Sequence, residues 1–189
     1  MQPEQQAGIS ALVPANDDLD RAVLDLAAVL DGLTPERFEI IVVGDAISLN
    51  ELRARAPGLP IRCVSGEADP RYDLVFVAAR DGRFDIRELN HLMDAIEHGA
   101  EVAAGYRPRP TDAIVRQLQR WGWHIDVDCA FALLRRTVWQ RLRDAASTGV
   151  PCTELSGKAR RLGFRVAEVA VSQRRPSIGL ATSARTRAA

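Results

Sequence analysis

Apolar residues in this chain fall into short runs separated by stretches with helical spacing. Residues 9–13 form one such run, closed by Pro14, and Leu19, Val23, Leu26 and Leu30 then recur at the interval of an amphipathic helix over 19–30. A strand followed by a helix is the expected opening. Residues 38–43 read as the next strand, followed by Gly44-Asp45-Ala46-Ile47 and by Ser48 and Glu51, spaced as a capping box that starts a short helix. Residues 61–64 give a third strand. Residues 74–77 give a fourth, with the unbroken apolar pattern of a strand covered on both faces.

Asp85 and Glu88 repeat the capping-box spacing before a helix whose inward face is expected to be Ile86, Leu89, Met93 and Ile96, with Gly99 as its stop. Beyond it, 101–106 reads as a strand, 111–121 as an amphipathic helix, and 130–134 as a strand or extended segment. Residues 137–142 and 154–162 read as helices, the second stopped by Gly163, and 164–171 as a final strand. Strands alternating with helices predict an α/β sandwich with a mostly parallel sheet. Residues 1–175 are expected to form one domain. The Arg-, Ser-, Thr- and Ala-rich residues 176–189 are expected to be a mobile tail.

With 47% hydrophobic residues, a chain of 189 can bury one good core. Acidic and basic residues balance at 25 each, so no net field draws the protein to nucleic acid or to an anionic membrane, and no nucleic-acid partner is expected. Cys63, Cys129 and Cys152 are odd in number and widely spaced, which fits neither a disulfide framework nor a zinc site and points to a reducing, cytoplasmic setting. The longest apolar runs, 40–43 and 74–79, are far too short for a transmembrane segment, and the N-terminus lacks a leader pattern.

The candidate chemistry starts where the fourth strand ends. Residues 72–85, YDLVFVAARDGRFD, run from a buried strand into a carboxylate-bearing turn, and such strands present polar side chains at their C-terminal ends. Asp81 is therefore expected at a cleft mouth. Its segment, ARDGRFD, resembles the DADGQFD signature of glycosyltransferase family 2, the group that includes polyprenyl-phosphate mannose synthases. Further segments resemble the same family in the same order: ISALVPANDD its opening VVIPAYNEE, EIIVVGDAIS its EIIVVDDGS, and AEVAAGYRPRP its ADVVAGYR. DVDCAFALLRR resembles DxxCGFKLFRR, and ARRLGFRVAEVAVSQRRPSIG the closing ARRLGYRVAEVPVSHRPRxxG, so the likeness covers residues 8–180.

The resemblance implies a trimmed GT-A (Rossmann-like) sandwich, with a nucleotide-binding half followed by a smaller acceptor half. It also implies an inverting transfer of a hexose from a nucleotide diphosphate sugar to a hydroxyl or lipid phosphate, on a small-molecule or lipid-linked acceptor. In the family two aspartates hold a divalent metal on the donor diphosphate, which makes Asp81 the implied Mn or Mg ligand and leaves Ala79 without a carboxylate. Pro14, Asn16 and Asp45 fall in the implied nucleotide pocket, where the first loop is one residue short and Gly44 stands in place of the first acid of a pair. Arg107 matches a position where basic residues approach the diphosphate, with Arg174 and Arg175 in a similar neighbourhood. A helix of the form NxGxxxAxNxG is missing, since Ser65-Gly66-Glu67-Ala68-Asp69-Pro70 leads almost directly to Tyr72. Asp126, three residues before Cys129, takes the position of the family's acceptor-side aspartate and is the implied general base.

Each of these residues also has a plainer reading. Asp45 can merely cap the loop before the Ser48 helix, and Arg80 and Arg83 are either the counter-charge to a diphosphate or a solvated pair beside Asp81. On a strand Asp126 and Asp128 share a face, where like charges raise one pKa and make an acid/base pair, or one of them caps the next segment. His124 is either a proton shuttle beside them or a packed histidine, and Trp121 and Trp123 either platform a ligand or close a helix. Every departure from the family weakens the donor side. Two further expectations follow: a protein turned to acid/base chemistry such as cyclisation, elimination or hydrolysis, or a non-catalytic scaffold. Whether the chain is an enzyme stays open at this level.

Overall fold

A computed structural model describes residues 8–15, 19–44, 54, 57–78, 85–106, 131–145 and 155–172. Its strands are β1 (Ile9–Pro14), β2 (Phe38–Val43), β3 (Ile61–Val64), β4 (Leu74–Ala78), β5 (Val102–Tyr106), β6 (Phe131–Arg135) and β7 (Val166–Ala170). They form one sheet of seven in the order β3-β2-β1-β4-β6-β5-β7. The ladders are parallel except where β6 runs against β4 and β5. The helices are α1 (Leu19–Leu33), α2 (Leu89–Glu97), α3 (Arg136–Asp144) and α4 (Leu155–Arg161).

The two-residue period of the strands sorts their side chains onto two cores. Ile9, Ala11 and Val13 of β1 join Ile40, Val42 and Phe76 under α1 and α2. Leu12 joins Ile41, Val75, Val77 and Leu134 under α3 and α4 on the opposite face. The α/β sandwich with a mostly parallel sheet is thus what the alternation predicted.

Boundaries differ where tertiary partners intervene. Helix α1 runs on to Leu33, and both the amide (2.8 Å) and the hydroxyl (3.2 Å) of Thr34 donate to the Leu30 carbonyl. The capping box at Asp85 and Glu88 is half correct: Asp85 caps the amide of Arg87 at 3.1 Å, but a 3-10 turn over Ile86–Glu88 comes first and α2 begins at Leu89. Glu88 accepts instead from the amide of Ser172, at 2.6 Å. The buried face of α2 is Leu89, Leu92 and Ile96, with Ile86 and Met93 only at its margin. Of the helix expected after Ser48 only residue 54 is described, and it is helical; the helix expected over 111–121 and the tail 176–189 lie outside the described residues.

The link from β3 to β4 crosses β2 and β1, and residues 65–73 make that crossing without a helix. A buried carboxylate holds this strap down. Glu39 accepts hydrogen bonds from the Ser10 hydroxyl (2.7 Å), the Arg62 guanidinium (2.9 Å) and the Arg71 amide (2.7 Å). Ser10 Oγ accepts in turn from the Tyr72 amide at 3.0 Å, and Ala68 is buried in the core beneath. Further along, the Arg136 amide donates to the Asp73 carbonyl at 2.7 Å, so the head of α3 pins the end of the strap.

Candidate functional site

In an open sheet of this kind a ligand binds beyond the carboxyl ends of the strands, where the strand order reverses. Here the chain steps outward from β1 to β2 and β3, then returns to the other side of β1 as β4. The crevice is therefore framed by the ends of β1, β2 and β4. Register brings them level: Pro14 lies opposite Val43, and Leu12 opposite Val77, one residue before Ala78.

Among the described residues the floor of this crevice is Pro14, Ala15 and Gly44. The Ala15 amide donates to the Val43 carbonyl at 3.0 Å, and the Gly44 amide to the Val64 carbonyl at 2.9 Å. The Cys63 thiol donates to the Gly44 carbonyl at 3.2 Å. Gly44 has φ +147°, and a Cβ built there would stand 2.7 Å from the Cβ of Ala15. Residue 44 thus has a backbone conformation and a close approach that suit only glycine. Gly44→Asp and Gly44→Ala should each destabilise the protein by about 2–3 kcal/mol in urea unfolding. Gly32→Ala, on α1 with nothing near its Cβ site, should be neutral or stabilising. Unchanged midpoints for the Gly44 variants would mean that the loop can adopt another conformation.

Past β6 and β5 the same edge is closed by a second set of bonds. The Val171 amide donates to the Tyr106 carbonyl at 3.0 Å, and the Asp85 amide to the Ser172 carbonyl at 3.3 Å. The ends of β5 and β7 therefore meet the turn that precedes α2. Among the described residues the carboxylates at this rim accept backbone bonds, Asp85 from the Arg87 amide and Glu88 from the Ser172 amide. Sequence reasoning placed Glu88 in a local cap, because its real partner lies 84 residues away.

Of the residues singled out from sequence, Pro14 lies in this floor as the last residue of β1. Asn16, Asp45, Arg80, Asp81, Arg107, His124, Asp126 and Asp128 lie outside the described residues, as do Arg83, Trp121, Trp123, Arg174 and Arg175. Asp45 follows Gly44, Asp81 comes three residues after Ala78, and Arg107 follows Tyr106. No group of three or more His, Cys, Asp or Glu side chains among the described residues is placed to hold a metal ion. No described helix is long and apolar enough to cross a membrane.

No protein-family model and no curated protein matches the chain. Solved structures do. A mannosyltransferase from Pyrobaculum calidifontis in complex with GDP-mannose and Mn2+ superposes with a TM-score of 0.65 at 17% identity, covering 94% of this chain. The chain spans only 59% of that enzyme's length. Glucosyl-3-phosphoglycerate synthase from Mycobacterium tuberculosis gives a TM-score of 0.61 at 17% identity, over 90% of this chain and 73% of the other. 4-Diphosphocytidyl-2C-methyl-D-erythritol synthase from Anaerococcus prevotii gives 0.56 at 14% identity, over 88% of both chains. At these identities the likeness is one of fold: the chain has a GT-A-type, Rossmann-like α/β architecture.

Proposed function

We propose that this is a glycosyltransferase-like protein that takes a nucleotide diphosphate sugar in the crevice beyond β1, β2 and β4 and transfers the sugar to a hydroxyl or lipid-phosphate acceptor. The observation that supports it most is the reversal of strand order at β1 and β4, from whose end the chain leads within three residues to Asp81. The mannosyltransferase of the same fold is known in complex with GDP-mannose and Mn2+, and the phosphoglycerate-linked synthase in complex with Mn2+, UDP-glucose and phosphoglyceric acid.

A magnesium-type cation can be held by one or two carboxylates together with substrate phosphates, and Asp81 supplies the minimum. Such an ion would neutralise charge on the leaving diphosphate. Arg80, Arg83 and Arg107 would add guanidinium contacts to the same oxygens. On the acceptor side, Asp126 would take the proton of the attacking hydroxyl, with Asp128 raising its basicity and His124 relaying the proton.

A second reading is supported by Gly44, which builds the lost nucleotide acid into the backbone geometry, and by Ala79, which lacks the second metal carboxylate. On that reading the donor site has been given up. The protein then either runs acid/base chemistry at Asp126, Asp128 and His124 on another small molecule or serves as a scaffold.

Calorimetric titration of UDP, GDP and their sugar conjugates, with and without manganese, separates the two. Metal-dependent binding that is lost in Asp81→Ala supports the transferase and names the nucleotide. Silence across the panel sinks it, and Asp126→Ala then distinguishes an enzyme from a scaffold by whether any turnover disappears.

A further inference from the structure

The neutral chain hides a strong separation of charge. By sequence, α1 and α2 carry five carboxylates and one arginine, while α3 and α4 carry six cations and one carboxylate. The first pair of helices packs on one core and the second pair on the other, so the sheet stands between an acidic pair of helices and a basic pair, the strap beside the basic pair adding the exposed Glu67, Asp69 and Asp73. Arg141 on α3 and Arg161 on α4 are exposed, as are Arg135 and Arg165 at the neighbouring strand ends. Some of this charge is neutralised locally, since Arg160 pairs with Glu168 at 2.6 Å and Arg165 approaches Glu101 at 3.6 Å. Arg135 and Arg141 make no side-chain pair among the described residues.

An exposed apolar side chain follows α4 directly. Leu162, directly after α4 and next to Arg161, is 48% exposed, one of two large hydrophobic residues so exposed among those described. The other, Leu24, is on the acidic helix α1.

We propose that the outer face of α3 and α4 docks on an anionic bilayer surface. Guanidinium groups there would meet lipid phosphates while Leu162 enters the boundary between headgroups and acyl chains. The acidic layer on the far side would orient the molecule in the negative surface potential, because it is repelled as the basic layer is drawn in. A nucleic acid would satisfy the arginines equally well, but it offers no apolar phase for an exposed leucine, and this favours lipid. With this face down the sheet lies along the membrane. The carboxyl ends of β1, β2 and β4 then point along the membrane surface rather than into it. The proposal is independent of the nucleotide reading.

The test is flotation of the full chain with vesicles of phosphatidylcholine alone and of phosphatidylcholine mixed with phosphatidylglycerol. Binding is expected only to the mixed vesicles and should fall with added salt. Replacing both Arg141 and Arg161 by glutamine should lower the partition coefficient about 30-fold, the conversion of roughly 1 kcal/mol for each basic residue. Leu162→Ser should lower it several-fold with no change in the thermal midpoint, since all three side chains are exposed. No binding to the mixed vesicles would overturn the proposal, as would binding indifferent to these substitutions or tighter binding to a double-stranded oligonucleotide than to the vesicles.

Discussion

Glu39→Ala should remove about 3–4 kcal/mol of stability, a large share of the 5–15 kcal/mol typical of a domain. The carboxylate is 4% exposed and is the common acceptor for Ser10, Arg62 and the Arg71 amide. Truncation would leave a guanidinium without its counter-charge and a backbone donor without its acceptor, and an unmade bond at a buried group costs more than the made bond contributes. The cost stays below that of a fully buried pair because Arg62 keeps about a third of its side chain in solvent.

The effect should reach beyond β2, since these bonds are what fasten residues 65–73 across the sheet. Proteolysis in that segment should accelerate in Glu39→Ala, and cleavage confined to the termini would show that the strap is held some other way. A pH signature accompanies this. Burial alone pushes the Glu39 carboxyl up, but the hydrogen bonds from Arg62, Arg71 and Ser10 and the charge of Arg62 together outweigh it, so the group lies below its ordinary 4.5. A carboxylate lowered on folding contributes stability that is fully present above its unfolded pKa and is lost as the pH falls through the folded one. Urea midpoints should therefore fall on acidification below about pH 4.5, and less steeply in Glu39→Gln; parallel slopes would exclude the carboxylate as the cause.

Periodicity carried the sequence reading where partners are local and failed where they are distant. The strands and the apolar faces of the helices are short-range patterns, and where those elements are described their positions matched to within a few residues. The direction of β6 was not legible, because Phe131-Ala-Leu-Leu is a run buried on both faces that suits either orientation. Missing residues before Tyr72 were legible as a lost helix, but not what replaced it. The only hints were Ser10 and Glu39, polar residues inside two otherwise apolar strands, and they are cross-strand partners. Gly44 stood out in the sequence only by its resemblance to a motif, whereas the contact with Ala15 that excludes any side chain depends on how the ends of β1 and β2 approach one another. Equal totals of acid and base likewise concealed the charged layers, since a net charge discards position.

Phe131→Ala is expected to cost about 3–5 kcal/mol and, unlike the change at Glu39, to act at the strand ends beside the candidate crevice. Phe131 is 2% exposed, lies opposite Ala78 at the end of β4, and sets its ring edge-on to Phe76 with centroids 5.0 Å apart at 79°. The space it occupies exists because Gly105 has no side chain. A Cβ at Gly105 would come within 2.9 Å of Phe131 Cδ1, 3.0 Å of the Phe131 carbonyl and 3.1 Å of Val171. Gly105→Ala alone should therefore cost about 1–3 kcal/mol by overpacking. Combined with Phe131→Leu, the new methyl would meet a smaller side chain, so the double variant should lose less than the two single losses added together. The fixed carbonyl keeps that rescue partial. Strict additivity in urea unfolding would refute the packing argument. Any nucleotide affinity measured for the parent protein should fall in Phe131→Ala although no proposed ligand contact has been replaced, since this core holds in place the ends of β4 and β5 that lead to Asp81 and Arg107.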